Sequence, residues 1–137
     1  MIFVDTNVVS ETLRIKPAEQ VLAWLSRHDA ELALSSVVIG EIAFGISKIH
    51  PDQRALRLTA GLDEWRRRFA GRIFAFTEES ALIYGQIMGS AARSGRPMSA
   101  QDGMIAAIAR AHESPLATRN TNDFGLAEIA IINPWDD

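Results

Sequence analysis

The sequence is 137 residues long and 47% apolar, enough for one domain with a real core. Its net charge of −3 argues against a protein coated in a basic field, though not against a local basic groove, and the absence of cysteine excludes disulfides, thiolate zinc sites and a cysteine nucleophile. With no apolar run of about 18 residues and no basic-then-apolar leader, the chain reads as a single cytoplasmic domain over 1–137 with no membrane association.

Ile2, Phe3 and Val4 predict a short buried strand, and Asp5 follows as the only side-chain charge in the first ten residues. Thr6 and Asn7 read as caps of a helix starting near Val8, which puts Asp5 at the carboxyl edge of a sheet. Pro17 suits the first turn of a helix running to His28. Glu31 to Ser35 predicts strand two, and Ser36 a cap for a helix over Val37 to Ile49. Pro51 opens a fourth helix ending in Arg66, Arg67 and Arg68, where cations favour the dipole. Arg72 to Phe76 predicts strand three, and Thr77 with Ser80 starts a helix to Ser94 that Gly95, Arg96 and Pro97 break. Ser99 caps a helix through His112, Pro115 to Thr118 predicts strand four, and Ile129 to Ile132 a fifth. This order predicts an α/β fold with a mainly parallel, about five-stranded sheet and helices on both faces.

Most acids lie among other charges, but four do not. Asp5 is one. Glu41 is the only charge between Leu32 and Ser47, Asp102 the only one between Pro97 and Ala109, and Asp123 follows strand four in Asn120-Thr121-Asn122-Asp123. The topology predicts all four at the carboxyl edge, where crowded, partly desolvated carboxylates repel unless a cation neutralises them. Oxygen ligands without cysteine favour Mg²⁺ or Mn²⁺. Each acid also has a plainer reading. Asp5 and Asp102 suit helix starts, Asp123 suits an Asx-turn, and Glu41 lies on a half-buried apolar helix face. The three histidines sit near helix ends, and no G-x-S-x-G elbow or Gly-rich phosphate loop occurs.

The stretches DTNVVSE at 5–11, SSVVIGEIAFGI at 35–46, SAQDGMIAAIARAH at 99–112 and ATRNTNDF at 117–124, with NPW at 133–135, resemble the PIN-domain ribonucleases, specifically the VapC/FitB-type toxins of bacterial toxin–antitoxin pairs. The resemblance implies a three-layer α/β/α PIN-like fold and a metal-dependent endoribonuclease whose acidic site maps onto Asp5, Glu41, Asp102 and Asp123, with Thr118 or Asn120 sharing the fourth role. It also implies a small antitoxin partner of the VapB/FitA kind that blocks the site with a tail, a homodimer, and contact with operator DNA through the antitoxin. The apolar positions Val38, Ile42 and Ile46 fit either a dimer face or the core.

The expected chemistry is hydrolysis of RNA phosphodiester bonds by a metal-activated water. Thr6, Asn7, Thr118 and Asn120 are neutral donors suited to phosphate or water, and Arg93, Arg96 and Arg119 are candidate contacts to the RNA backbone. Two aspartyl-phosphate alternatives fit less well, because Asn7 stands where a dehalogenase-type phosphatase needs a second aspartate and a receiver domain needs a late lysine, whereas the last here is Lys48. The alternative of another class is a catalytically idle acidic module that binds a basic peptide without any ion.

Overall fold

The apolar run Ile2–Val4 becomes β1, and all of it is buried. The computed structural model describes residues 1–136. β1 pairs in parallel with β2 (Leu32–Ser35) on one side and with β4 (Leu116–Ala117) on the other, with Phe3 opposite Ala33 and Leu116. Outside these lie β3 (Ile73–Phe74) and β5 (Ile131–Ile132), also parallel, giving the order β3-β2-β1-β4-β5. Burial on both faces explains why β1 reads as a continuous apolar run and not as an alternating one.

The helices are α1 (Thr6–Thr12), α2 (Glu19–His28), α3 (Ser36–Ile49), α4 (Gln53–Arg68), α5 (Glu78–Arg93) and α6 (Ala100–Ala111). The chain steps outward from β1 to β2 to β3, then returns across β1 to β4 and β5. Right-handed crossovers running in opposite directions put α1 to α4 on one face and α5 and α6 on the other. Most of the packing follows this division, with α1 meeting α2 and α3, α3 meeting α4, and α5 meeting α6, while α3 also meets α6, the two helices that carry Glu41 and Asp102. The reversal falls between β1 and β4, and open α/β sheets bind ligands at the carboxyl ends of such a pair. No helix among the described residues is long and apolar enough to cross a membrane.

Two caps differ from expectation for one reason. Thr6 and Asn7 lie inside α1, which is capped by Asp5, whose Oδ1 accepts from Thr6 N at 2.8 Å. Ser36 opens α3, and the cap is Ser35, whose Oγ accepts from Val38 N at 3.2 Å. Both strands run straight into their helices, so the residue at the strand's end does the capping. Pro51 precedes α4, which Asp52 caps, and Pro17 precedes α2, whose Ala18 N–H is taken by the Glu11 carboxylate at 2.8 Å. β3 and β5 are shorter than their apolar runs, as suits edge strands that must not recruit another chain.

Val38 and Ile42 are buried in the core and Ile46 packs against it. Small residues let α6 lie close to α5: a Cβ added to Gly103 would come within 2.5 Å of Met88 Sδ and 3.0 Å of Tyr84 Cε1. Ser99 caps α6 as expected, its Oγ accepting from Asp102 N at 3.1 Å. Ser99→Ala is therefore expected to cost about 1 kcal/mol, read from the urea midpoint. An unchanged midpoint would mean that the cap contributes nothing.

Candidate active site at the carboxyl edge of the sheet

Asp5 leaves β1 at the reversal point and is 3% exposed. Its N–H extends the β1–β4 ladder to Ala117 O at 2.9 Å. One carboxylate oxygen caps α1, while Oδ2 accepts from Thr118 Oγ1 at 2.7 Å, with Asn7 Nδ2 at 3.4 Å. Thr118 is itself fully buried, and its Oγ1 accepts from Asn7 Nδ2 at 3.1 Å and Asn120 N at 3.0 Å. Asn7 Oδ1 in turn accepts from Arg119 N at 3.2 Å, which ties the loop after β4 to the first turn of α1. Burial pushes the Asp5 carboxyl from 3.8 to about 6 against these hydrogen bonds, and the Asp102 and Glu41 carboxylates push the same way.

Glu41 is half-buried on α3, and its Oε1 accepts from Thr6 Oγ1 at 2.8 Å. Asp102, in the first turn of α6, is also half-buried, and its carboxyl is raised, first by burial and then by Asp123 and Glu41, with Ser99 opposing. Asp5, Glu41 and Asp102 line one open groove of about 440 Å³. Asp123 is exposed on a 3-10 turn, Thr121–Phe124, and faces a neighbouring hollow on the other side of Asp102. Three of the four predicted acids thus share the groove, with Glu11 also on its wall, and the fourth adjoins it. Among the described residues, no three carboxylates or histidines converge closely enough to ligate one ion directly. None of Asp5, Glu41 and Asp102 forms an ion pair among those residues, whereas Glu11 pairs with Arg14 at 3.3 Å.

The neutral donors divide. Thr6 holds Glu41, Asn7 and Thr118 hold Asp5, and the burial of Thr118 keeps it from meeting a ligand. Asn120 and Arg119 line the groove, and the Arg119 guanidinium lies 4.9 Å above the Trp135 ring. Arg96 lines the neighbouring hollow, whereas Arg93 lines neither cavity and folds back towards Gly89. Sequence reasoning passed over Ser10, Glu11, Arg14 and Trp135, which complete the groove wall. Asn7, Ser10, Glu11 and Arg14 recur at the spacing of one helical face, a signal legible in the sequence.

Carboxylates raised by burial and by neighbouring carboxylates, as Asp5 and Asp102 are, form a site poised to take a cation, and the donors are all oxygen.

The PIN domain family matches this chain over residues 2–131. Toxin FitB of Neisseria gonorrhoeae is 40% identical over 139 aligned residues that span 100% of both chains. VapC ribonuclease Y4jK of Sinorhizobium fredii is 37% identical over 99% of each. The solved structure of FitAB bound to an IR36 DNA fragment superposes with a TM-score of 0.89 and 39% identity, covering 98% of this chain and 96% of that one.

Proposed function

Because this chain belongs to the PIN-domain family, among its VapC/FitB-type toxins, we propose that its acidic groove hydrolyses RNA phosphodiester bonds with the help of Mg²⁺ or Mn²⁺. The observation that carries the reading is the trio Asp5, Glu41 and Asp102, which face one groove and have no cation of the protein paired to them among the described residues, with Asp5 and Asp102 raised by burial and by the Glu41 charge. The donor set suits a hard ion, and Mg²⁺, which keeps several waters and takes one or two protein carboxylates, does not require three converging acids. When bound, such an ion lowers the pKa of a water and offsets charge on the phosphoryl group. The chain's own part is positioning: Thr118 and the Thr6 N–H fix both oxygens of Asp5, the Thr6 hydroxyl fixes Glu41, and Ser99 fixes the turn carrying Asp102. Asp123 acts from beyond Asp102, adding to the burial that raises the Asp102 carboxyl.

The proposed regulator is an antitoxin of the VapB/FitA kind, with operator DNA reached through it, in the cytoplasm. An apolar groove of about 420 Å³, lined by Leu13, Ile42, Ile46, Ile49 and Leu58, adjoins the acidic one and shares Thr6, Ser10, Arg14 and Glu41 with it, which suits a protein segment ending over the acids.

The test is cleavage of a mixed RNA pool in EDTA, Mg²⁺ or Mn²⁺, with Glu41→Gln alongside. Cleavage is expected to require the ion and to fall on the order of 10²–10³-fold in the variant. Cleavage that ignores both metal and Glu41 would reject the assignment. Binding of a basic peptide without metal and without cleavage would support the idle module.

A further inference from the structure

Beyond Asp102 lies the hollow of about 430 Å³ that Asp123 faces, and Asp102 is the one residue it shares with the acidic groove. Arg96, Met98, Asn122, Gly125 and Leu126 line it, from the α5–α6 turn on one side and the 3-10 turn on the other. Arg96 extends into it with no ion pair or side-chain hydrogen bond among the described residues, although two carboxylates line the same hollow. Its guanidinium lies against Gly125, where an added Cβ would stand 3.5 Å from Nη2 and 3.9 Å from Nη1. Met98 and Leu126 are half-buried apolar walls. The Asn122 side-chain amide is exposed and uncommitted, unlike that of Asn7, which is used at both ends.

We propose that this hollow is a nucleotide subsite. The RNA strand crosses Asp102, with the reacting phosphodiester in the acidic groove and the adjoining base unstacked between Met98 and Leu126, its edge on the Asn122 amide and its phosphate on Arg96. This rests on the ribonuclease reading above and adds where the strand runs and what reads it. An amide presents a donor and an acceptor in one plane, the pairing that matches a base edge. Single-stranded RNA is recognised through splayed bases on such edges, and a guanidinium supplies the salt-dependent phosphate contact. The groove flanking the acids on the other side has arginines too, but Arg14 pairs with Glu11, Arg54 with Asp52, and Arg57 donates to Leu13 O, so the strand takes the side of the uncommitted Arg96. A volume of about 430 Å³ is that of a small-molecule site.

The test separates binding from cleavage. A short fluorescein-labelled single-stranded RNA of random sequence is titrated by anisotropy in EDTA against the wild type, Arg96→Gln, Asn122→Ala and Arg66→Gln, the last a charge-matched control on α4 that pairs with Asp63. Arg96→Gln is expected to weaken binding about 5–10-fold and to lower the salt slope by about one, and Asn122→Ala to weaken it about 3–10-fold at unchanged slope. Arg66→Gln is expected to bind as the wild type does. The same RNA is then cut with Mg²⁺ and the product ends sequenced: the wild type is expected to prefer one base beside the cut, and Asn122→Ala to flatten that preference. Wild-type affinity and slope in Arg96→Gln, or a preference that is absent or survives Asn122→Ala, overturns the subsite and leaves the ribonuclease reading standing. Binding in the expected order with no cleavage in any metal overturns the ribonuclease reading instead, and no RNA binding by the wild type in EDTA overturns the subsite.

Discussion

Asp5→Asn is expected to fold, to lose RNA cleavage on the order of 10²–10³-fold, and to remove a stability penalty that the wild type carries above pH 6 without metal. The sign follows from burial. An unfolded Asp5 releases its proton near 3.8, the folded one near 6, so between these values the folded chain holds a proton that the unfolded chain has lost. Stability from this group is therefore full below 3.8, falls as pH rises through the window, and is lost above about 6, a difference of about 3 kcal/mol. Asparagine has no charge to desolvate, so the variant lacks this slope. It introduces a cost of its own: an amide nitrogen in place of Oδ2 faces Thr118 Oγ1, which already accepts from Asn7 and Asn120. That conflict is worth about 1–3 kcal/mol, so the two terms nearly cancel at neutral pH. Urea unfolding in EDTA from about pH 4 to about pH 7, wild type against variant, reads the slope difference directly. Parallel curves would mean that burial does not lift Asp5. Wild-type cleavage by the variant would mean that the reaction happens elsewhere.

Phe3→Ala is expected to cost about 3–5 kcal/mol, a third or more of the total of about 5–15 typical of such a domain. Phe3 is 1% exposed in the middle of β1, meets Phe74 edge-on at 5.6 Å and lies 5.4 Å from the His112 ring. Its partner strand β4 has two residues, so little ladder remains to compensate for a void beneath it. The urea midpoint should fall at constant slope. Cleavage should return on cooling, because the acids two residues and more away are untouched, whereas cooling does not restore Asp5→Asn. A midpoint shifted by less than about 1 kcal/mol would contradict the packing described here.

Much of this was legible because isolation of charge is a local property. Asp5, Glu41 and Asp102 stood out as lone carboxylates in apolar surroundings, and burial with raised pKa at Asp5 and Asp102 is the physical counterpart of that pattern. The partners were not legible. Glu41 has no local donor because its donor, the Thr6 hydroxyl, comes from 35 residues away, and Thr118 reaches Asp5 across 113. Asp123 was expected beside the other three and lies across Asp102, since a 3-10 turn after β4 sets its direction and no periodicity encodes that. The cap shifts at Asp5 and Ser35 turn on one residue of strand length, which depends on pairing with strands elsewhere in the chain.

β1 lies at the centre of the sheet, yet its neighbour β4 is made more than a hundred residues later, and Thr118, which fixes Asp5, comes from that late segment. During synthesis at about 5–20 residues per second, the nascent chain therefore carries Asp5 for several seconds without the hydroxyl that orients it. The groove that Asp5, Glu41 and Asp102 share, with the hydroxyl that orients Asp5, therefore comes together only after nearly all of the domain has been translated.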